Sequence, residues 1–249
     1  MPRHVGSKWK KTQALLKSSE ISKFIAPTEW MTGDTLNYML NVYNMVYIKP
    51  VVGMHGRGVM KVERLKDKDY LYRYQIGAYR RSFSSFGQLY DSLLMSTNGK
   101  PYLVQRGINL LRYSGRPFDI RVLAQLTPNK EWITTGMIGR VAHKGKIVTN
   151  YHNGGSLHDV EKLLAAHAQG KRKEVFIKQL KRLGQLVGAQ MYKHFPAITE
   201  VGLDIGVSTD LRPWIIEVNT SPDFYIFKKL EDKSIYHRVR KYARWNGRM

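Results

Sequence analysis

Two carboxylates and an amide in the last quarter of the chain carry the clearest chemistry. Gly202-Leu203-Asp204-Ile205-Gly206 is followed by Trp214-Ile215-Ile216-Glu217-Val218-Asn219-Thr220-Ser221-Pro222. Val201, Leu203 and Ile205 alternate along the first apolar run, and Trp214, Ile216 and Val218 along the second. Both runs therefore read as strands. The Leu211-Arg212-Pro213 bend between them predicts a hairpin-like return. Glu217 and Asn219, two residues apart, then project from one face, and Asp204 can meet them across the pair. Such hard-oxygen groups suit Mg²⁺ held against nucleotide phosphates. A core strand that merely ends in polar residues carries the same local pattern.

Two more groups could act on phosphate. Ile48-Lys49-Pro50-Val51-Val52-Gly53-Met54-His55-Gly56-Arg57-Gly58-Val59 sets a strand lysine ahead of three glycines. Glycines let backbone N–H groups approach phosphates, and the lysine supplies a point charge. No Gly-Lys-Ser/Thr closes the segment, so it is not a Walker A loop, and a plain hairpin turn is the competing reading. Asp119-x-Arg121 lies on the polar face of an apolar strand, with Arg140 on its expected neighbour. These residues either form a buried or rim ion pair or stabilise charge on a transferring phosphoryl group. The eight histidines have no metal-ligand spacing, and His152 and His158 read as loop polar groups. No Gly-x-Ser-x-Gly elbow is present.

The elements that must position these groups can be read from periodicity. Leu36, Met39, Leu40 and Tyr43 predict a helix, with Asp34 as its N-cap. Met45 to Val52, Val59 to Glu63 and Tyr70 to Gln75 predict strands. A helix capped near Ser84 or Ser85 buries Phe86, Leu89, Tyr90, Leu93 and Leu94 and stops at Asn98-Gly99. Tyr102 to Gln105 and Phe118 to Leu126 are further strands, the second pairing with Trp132 to Ala142. The loop Asn150 to Ser156 precedes two helices, the longer one with Ile177, Leu180, Leu183, Val187 and Met191 as its stripe. Strands and helices intermix without βαβ alternation, which predicts an α+β fold.

Composition narrows the class. The chain has 249 residues, 43% hydrophobic and 11% aromatic, enough for a sizeable core. No apolar run nears the ~20 residues needed to span a bilayer. Met1-Pro2-Arg3-His4 leads into no signal-peptide core, so a soluble cytoplasmic protein is expected. The absence of cysteine excludes disulfides, thiolate metal sites and a Cys nucleophile. A net charge of +22 points to anionic partners. At the C-terminus Lys228, Lys229, Lys233, Arg238, Arg240, Lys241, Arg244 and Arg248 face only Glu231 and Asp232, unless this is simply a solvated basic helix. No zinc finger, internal repeat or RNA-binding aromatic signature is present.

The order of these segments resembles the ATP-grasp superfamily from about Lys8 to Pro222: strand lysine, Gly-rich hairpin, Tyr-Leu-Val-Gln-Arg-Gly, Asp-x-Arg, Asn with Gly-Gly, then Asp and Glu-x-Asn. Ser7-Lys8-Trp9-Lys10-Lys11 and Ile48-Lys49-Pro50 look like its YheC/YheD-like branch, associated with the endospore coat of spore-forming bacteria. Gly202-x-Asp204 with Glu217-Val218-Asn219-x-Ser221-Pro222 is the most specific segment.

The resemblance implies two α+β subdomains gripping ATP; a departure from the family pattern is expected in the usual N-terminal domain, for which only a few residues precede Lys8. Residues 1–33 would form a basic lead-in, 34–107 the small subdomain, 108–227 the larger one and 228–249 a basic tail. ATP and one or two Mg²⁺ ions, replaceable by Mn²⁺, are the implied cofactors. Lys8 and Lys49 would contact phosphates, and Gly53, His55, Gly56, Arg57 and Gly58 would fold over them. Gln105 and the backbone of Arg106, Gly107 and Ile108 would meet adenine, with Asp119 and Asn150 completing the nucleotide set. Asp204, Glu217 and Asn219 would hold metal, and Arg121 and Arg140 would stabilise the phosphoryl group.

The implied activity is carboxylate–amine ligation through an acyl phosphate, on an acidic peptide or protein, with a partner supplying substrate-binding surface. A kinase acting on a hydroxyl, and a non-catalytic spore-coat module binding polyanions, are the alternatives. Nucleic acid is the less favoured anionic partner, and spore association is an implied location.

Overall fold

Thr32, not Asp34, caps the first long helix of the small lobe. Its hydroxyl accepts from Thr35 N–H at 3.1 Å while Thr35 Oγ1 accepts from Thr32 N–H at 2.9 Å, a reciprocal capping box. Asp34 falls in the first turn instead, where it favours the positive end of the helix dipole. The computed structural model describes residues 4–54, 56–149 and 154–249. His55, Asn150 and His152 lie outside the described residues.

The small lobe is a six-stranded antiparallel sheet backed by two helices. Its strands are β1 (Thr28–Trp30), β2 (Met45–Pro50), β3 (Met60–Arg64), β4 (Tyr72–Ile76), β5 (Tyr79–Phe83) and β6 (Tyr102–Arg106), in the order β1-β6-β2-β3-β4-β5. Helices α3 (Gly33–Tyr43) and α4 (Phe86–Thr97) cover one face, burying Leu36, Leu40, Leu89 and Leu93 against Val46, Ile48 and Val62. Side chains alternate along β2, so Tyr47 and Lys49 turn to the other face.

The large lobe is built on β8 (Arg116–Leu126), β9 (Trp132–Val141), β10 (Ser156–His158), β11 (Glu200–Val207) and β12 (Pro213–Asn219), in the order β10-β9-β8-β11-β12. The two-residue β7 (Arg112–Tyr113) pairs with the start of β8. Helix α6 (Gly170–His194) lays Leu180, Leu183, Val187 and Met191 against Ile120, Val122, Leu203 and Ile205. The N-terminal helices α1 (Lys8–Leu16) and α2 (Ser19–Ser22) join the same core through Leu15 and Ile21. Short α5 (Val160–Leu164) adds Leu163, fully buried over Gly139.

The second face of the large sheet is divided. One half, carrying Leu123 and Ile138, is covered by Phe227 of the 3-10 turn Tyr225–Lys229 and by Val239 and Ala243 of α7 (Lys233–Trp245). The basic C-terminal segment is thus anchored by an apolar seam, and Arg248 pairs with the buried Glu200 at 2.5 Å. The other half, carrying Asp119, Arg121, Arg140 and Asp204, is left open toward the small sheet. Among the described residues no helix is long and apolar enough to cross a membrane.

One irregularity tunes this open half. Asp204 pairs with Glu217, but the next residue, Ile205, pairs with Ile215, so Ile216 bulges out of the ladder. The even alternation expected for Trp214, Ile216 and Val218 therefore breaks. Ile215 and Val218 enter the core, while Ile216 lines the space between the sheets.

Candidate functional site

The two sheets enclose a cleft of about 690 Å³, lined on the small-lobe side by Tyr47, Lys49, Val59 and Gln105 and on the large-lobe side by Asp119, Arg140, Asp204, Ile216 and Glu217. A second pocket of about 470 Å³ adjoins it behind Lys49 and Glu217 and is walled by α1 through Lys8, Lys11 and Thr12.

The polar floor is built by strand register. Arg121 on β8 lies opposite Asp204 on β11, which lies opposite Glu217 on β12; Asp119 lies opposite Arg140 on β9. Cross-strand partners share a face, so these side chains gather on the open half of the sheet. Arg121 Nε donates to Asp204 Oδ1 at 2.5 Å, and Arg140 Nη2 reaches Asp204 Oδ2 at 3.1 Å. Arg140 also grips Asp119 through Nε at 2.8 Å and Nη2 at 2.5 Å, and Thr149 Oγ1 donates to Asp119 at 2.5 Å. Burial alone would raise the Asp204 pKa, but the two guanidinium groups outweigh it and hold the carboxyl at about 2. Burial likewise opposes the charge on Arg140, and the paired carboxylates overcome it and raise its pKa.

The ion-pair reading of Asp119, Arg121 and Arg140 is therefore realised, and it does not exhaust the arginines. A guanidinium carries five N–H donors. Arg121 uses only Nε and Arg140 only Nε and Nη2, which leaves Arg121 Nη1 and Nη2 and Arg140 Nη1 without partners among the described residues. Asp119, by contrast, accepts two bonds from Arg140 and one from Thr149, and its geometry is that of a group orienting Arg140.

Three lysines face this floor. Lys49 Nζ donates to Gln105 Oε1 at 2.5 Å and to the bulged Ile216 carbonyl at 3.4 Å. Gln105 is itself oriented by Nε2 donating to Thr28 Oγ1 at 2.9 Å. Lys8 Nζ lies 3.5 Å from Glu217 Oε1 and donates to the Gly53 carbonyl at 2.9 Å, tying the glycine loop to α1. Lys11, one helical turn on, is only 5% exposed. Burial pushes both Lys49 and Lys11 down to about 8, against the upward pull of Glu217. Neither ammonium is balanced as in water, so the site holds positive charge that an anion would relieve.

The expected nucleotide residues are only partly free. Gly56 and Gly58 adopt φ of 71° and 74°, which glycine allows and which turns the loop back toward β3. Gly56 lines the cleft, while the Arg57 side chain is exposed. At the junction between lobes, Arg106 N–H is taken by the Pro27 carbonyl at 2.8 Å and Gly107 N–H by that of Met45 at 2.9 Å. Of the three amides expected to face adenine, only Ile108 N–H has no partner among the described residues. Arg106 instead stacks on Tyr43 and Trp214, with centroid distances of 5.1 and 4.9 Å.

Among the described residues no group of three or more His, Cys, Asp or Glu side chains is placed to hold a metal. The candidate set is two carboxylates and an amide. Asp204 and Glu217 line the cleft together, and Asn219, half-buried, stands opposite Gly202 two pairs along. A Cβ on Gly202 would lie 2.8 Å from Pro222 and 3.3 Å from Arg121, so glycine keeps that position open. These oxygen donors are of the type that a hard divalent cation such as Mg²⁺ takes.

Sequence reasoning missed Lys11, Tyr47 and Thr149. Lys11 was legible as the i+3 neighbour of Lys8 on one helix face. Tyr47 alternates with Lys49 on β2, and burial pushes its phenol up to about 12. Thr149 gave no signal beyond its place beside Asn150.

The YheC/D-like ATP-grasp family matches residues 2–245. The chain belongs to that family. It is 25% identical over 228 residues to the endospore coat-associated protein YheD of Bacillus subtilis strain 168, covering 89% of this chain and 49% of YheD. It is 24% identical over 222 residues to YheC of the same organism, covering 88% of this chain and 61% of YheC. The chain thus spans about half to three-fifths of these relatives. Among solved structures, D-cycloserine synthetase DcsG superposes with a TM-score of 0.57 at 10% identity, over 96% of this chain and 70% of that one. The α+β ATP-grasp fold follows from the family match and this superposition together.

Proposed function

We propose that this chain is a Mg-ATP-dependent carboxylate–amine ligase that works through an acyl phosphate. The observation that carries the reading is the polar half of the large sheet, where Arg121 and the cleft-lining Arg140 share Asp204 beside Glu217 and keep N–H donors unpaired among the described residues, with Lys8 and Lys49 close by. Val59, Ile216 and the Ile108 amide, which has no partner among the described residues, would receive the base of ATP, and Lys49 and Lys8 would take phosphate oxygens. Asp204, Glu217 and Asn219 would hold Mg²⁺, which when bound would neutralise phosphate charge and act as a Lewis acid.

An acceptor carboxylate oxygen attacks the γ-phosphorus, the bond to the β–γ bridging oxygen breaks, and ADP leaves. The free donors of Arg121 and Arg140 bind the equatorial oxygens of the transferring group, fixed in place by Asp204 and Asp119. An amine then attacks the acyl carbon, phosphate departs with the C–O bonding pair, and the amine releases a proton. Ligation on an acidic peptide or protein suits a protein of net charge +22.

Hydroxylamine tests this reading. With Mg-ATP and oligoglutamate as acceptor, it should intercept the acyl phosphate as a hydroxamate, with stoichiometric ADP. ADP release with a phosphorylated hydroxyl product and no hydroxamate would replace ligation with kinase chemistry.

A further inference from the structure

A wide groove of about 1670 Å³ opens from the cleft past Tyr47, Ile108, Leu110, Ile147 and Thr149, which line both spaces. Six cations line it: Lys61 and Arg80 from the small lobe, Arg112, Arg116, Lys144 and Lys146 from the large one. No Asp or Glu is among its lining residues. Lys61 is neutralised by Glu63 at 2.7 Å, while Arg80 leans on the neutral Gln75 at 2.9 Å and Arg112 on the Gly115 carbonyl at 2.6 Å. Arg116, Lys144 and Lys146 have no carboxylate partner among the described residues.

The neighbouring groove, about 1410 Å³, differs although it shares Met45, Ile108, Asn109 and Thr209 with this one. There Glu63 and Asp210 stand among the arginines, and Arg106 and Arg212 are stacked on Trp214. The overall basicity of the chain therefore does not explain the all-cationic lining. A concave wall of one sign focuses the field and concentrates anions.

We infer that this groove docks an extended acidic peptide segment, its carboxylates taken by Arg80, Arg116, Lys144 and Lys146. Peptide is favoured over single-stranded nucleic acid because, among the described residues, the rings lining the groove are few, the imidazoles of His143 and His167 and one phenol. Among the described residues its one Phe, Trp or Tyr is Tyr47, half-buried on the small-lobe side of the cleft, its hydroxyl donating to the Ile147 carbonyl at 3.4 Å. Identifying the docked segment as part of the substrate rests on the ligase reading; the docking itself rests on the groove.

The groove is also an inter-lobe feature. Gln75 Nε2 donates to the Gly145 carbonyl at 2.8 Å, and with the Tyr47 bond this holds the loop from His143 to Thr149 against the small lobe. A peptide spanning Arg80 on one lobe and Arg116 on the other binds only the lobes-together arrangement, and so favours it.

The test is fluorescence anisotropy of a labelled oligo-L-glutamate on the full chain. Reversing the groove (Arg116→Glu, Lys144→Glu, Lys146→Glu) should weaken binding at least ~10-fold. A charge-matched reversal on the exposed face of α6 (Lys171→Glu, Arg172→Glu, Lys178→Glu) should change it less than ~3-fold, since those charges lie outside the groove and are screened. The milder pair Lys144→Gln and Lys146→Gln should weaken binding in the same direction, which guards against a misfolded triple variant.

Equal losses from both reversals, or no binding by wild type, would overturn the inference. Oligothymidylate binding more tightly than oligoglutamate through the same residues would overturn the choice of peptide. Groove-dependent peptide binding without any nucleotide binding would sink the ligase reading and leave the docking groove standing. Nucleotide binding without peptide binding would do the reverse.

Discussion

Replacing Asp204 with Asn removes one charge and almost no volume from a group held by two arginines at 2.5 and 3.1 Å. Its carboxyl is held at about 2 against an ordinary 3.8. A depression of that size corresponds to about 2–3 kcal/mol of stability at neutral pH. Removing one partner of a buried ion pair generally costs about 3–5 kcal/mol because the other charge stays buried. Arg140 keeps both bonds to Asp119 in the variant, which places the expected loss near the lower bound, about 3 kcal/mol.

The sign follows from linkage. The folded pKa lies below the unfolded one, so the contribution is complete above about pH 4 and disappears as pH falls toward 2. Urea unfolding of both proteins across pH 7 to pH 2 measures it. Asp204→Asn should be less stable by about 3 kcal/mol at pH 7, with the gap closing at the acid end. A gap that stays constant from pH 7 to pH 2, or no gap at all, would refute the network.

Two other substitutions separate stability from binding. Lys11→Met should stabilise the chain at pH 7 by about 1–3 kcal/mol, because Lys11 titrates at about 8 when folded and 10.5 otherwise. The unfolded chain binds the extra proton between those values, so the gain is full below pH 8 and fades above pH 10; denaturant titrations at both ends check it. Gly107→Ala should destabilise by about 1–3 kcal/mol in a thermal melt, since the new Cβ would lie 1.9 Å from Met45 Sδ and 2.8 Å from the rigid Met45 carbonyl oxygen.

Local pattern carried much of this fold. Strict alternation of Phe118, Ile120, Val122 and Ala124 against Asp119 and Arg121 marked β8, and that same alternation placed the polar pair on the open face. The features that escaped depend on tertiary neighbours. β5 is Tyr-Arg-Arg-Ser-Phe with four exposed residues, an edge strand made of charge, so hydrophobic periodicity gives it no weight. The bulge beside Ile216 is a mismatch between two strands and has no signature in either one. The C-terminal helix reads as basic because its apolar seam is narrow, with only Val239 and Ala243 fully buried, one helical turn apart. At the site, strand alternation predicted that Asp204 can meet Glu217 and that Asp119 and Arg121 share a polar face with Arg140 on the neighbouring strand, and the family resemblance joined the two sets in one site. They did not predict that Arg106 and Gly107 spend their amides inside the sheet, because that depends on Pro27 and Met45 arriving from elsewhere.

Calorimetry with a non-hydrolysable ATP analogue, with and without Mg²⁺, on wild type and on Glu217→Ala tests the central claim most directly. The account predicts metal-dependent binding to wild type, weakened at least ~10-fold by the substitution or by omitting metal, since a carboxylate ligand and its charge are lost. No binding to a well-folded wild type, or binding indifferent to both metal and Glu217, would contradict it.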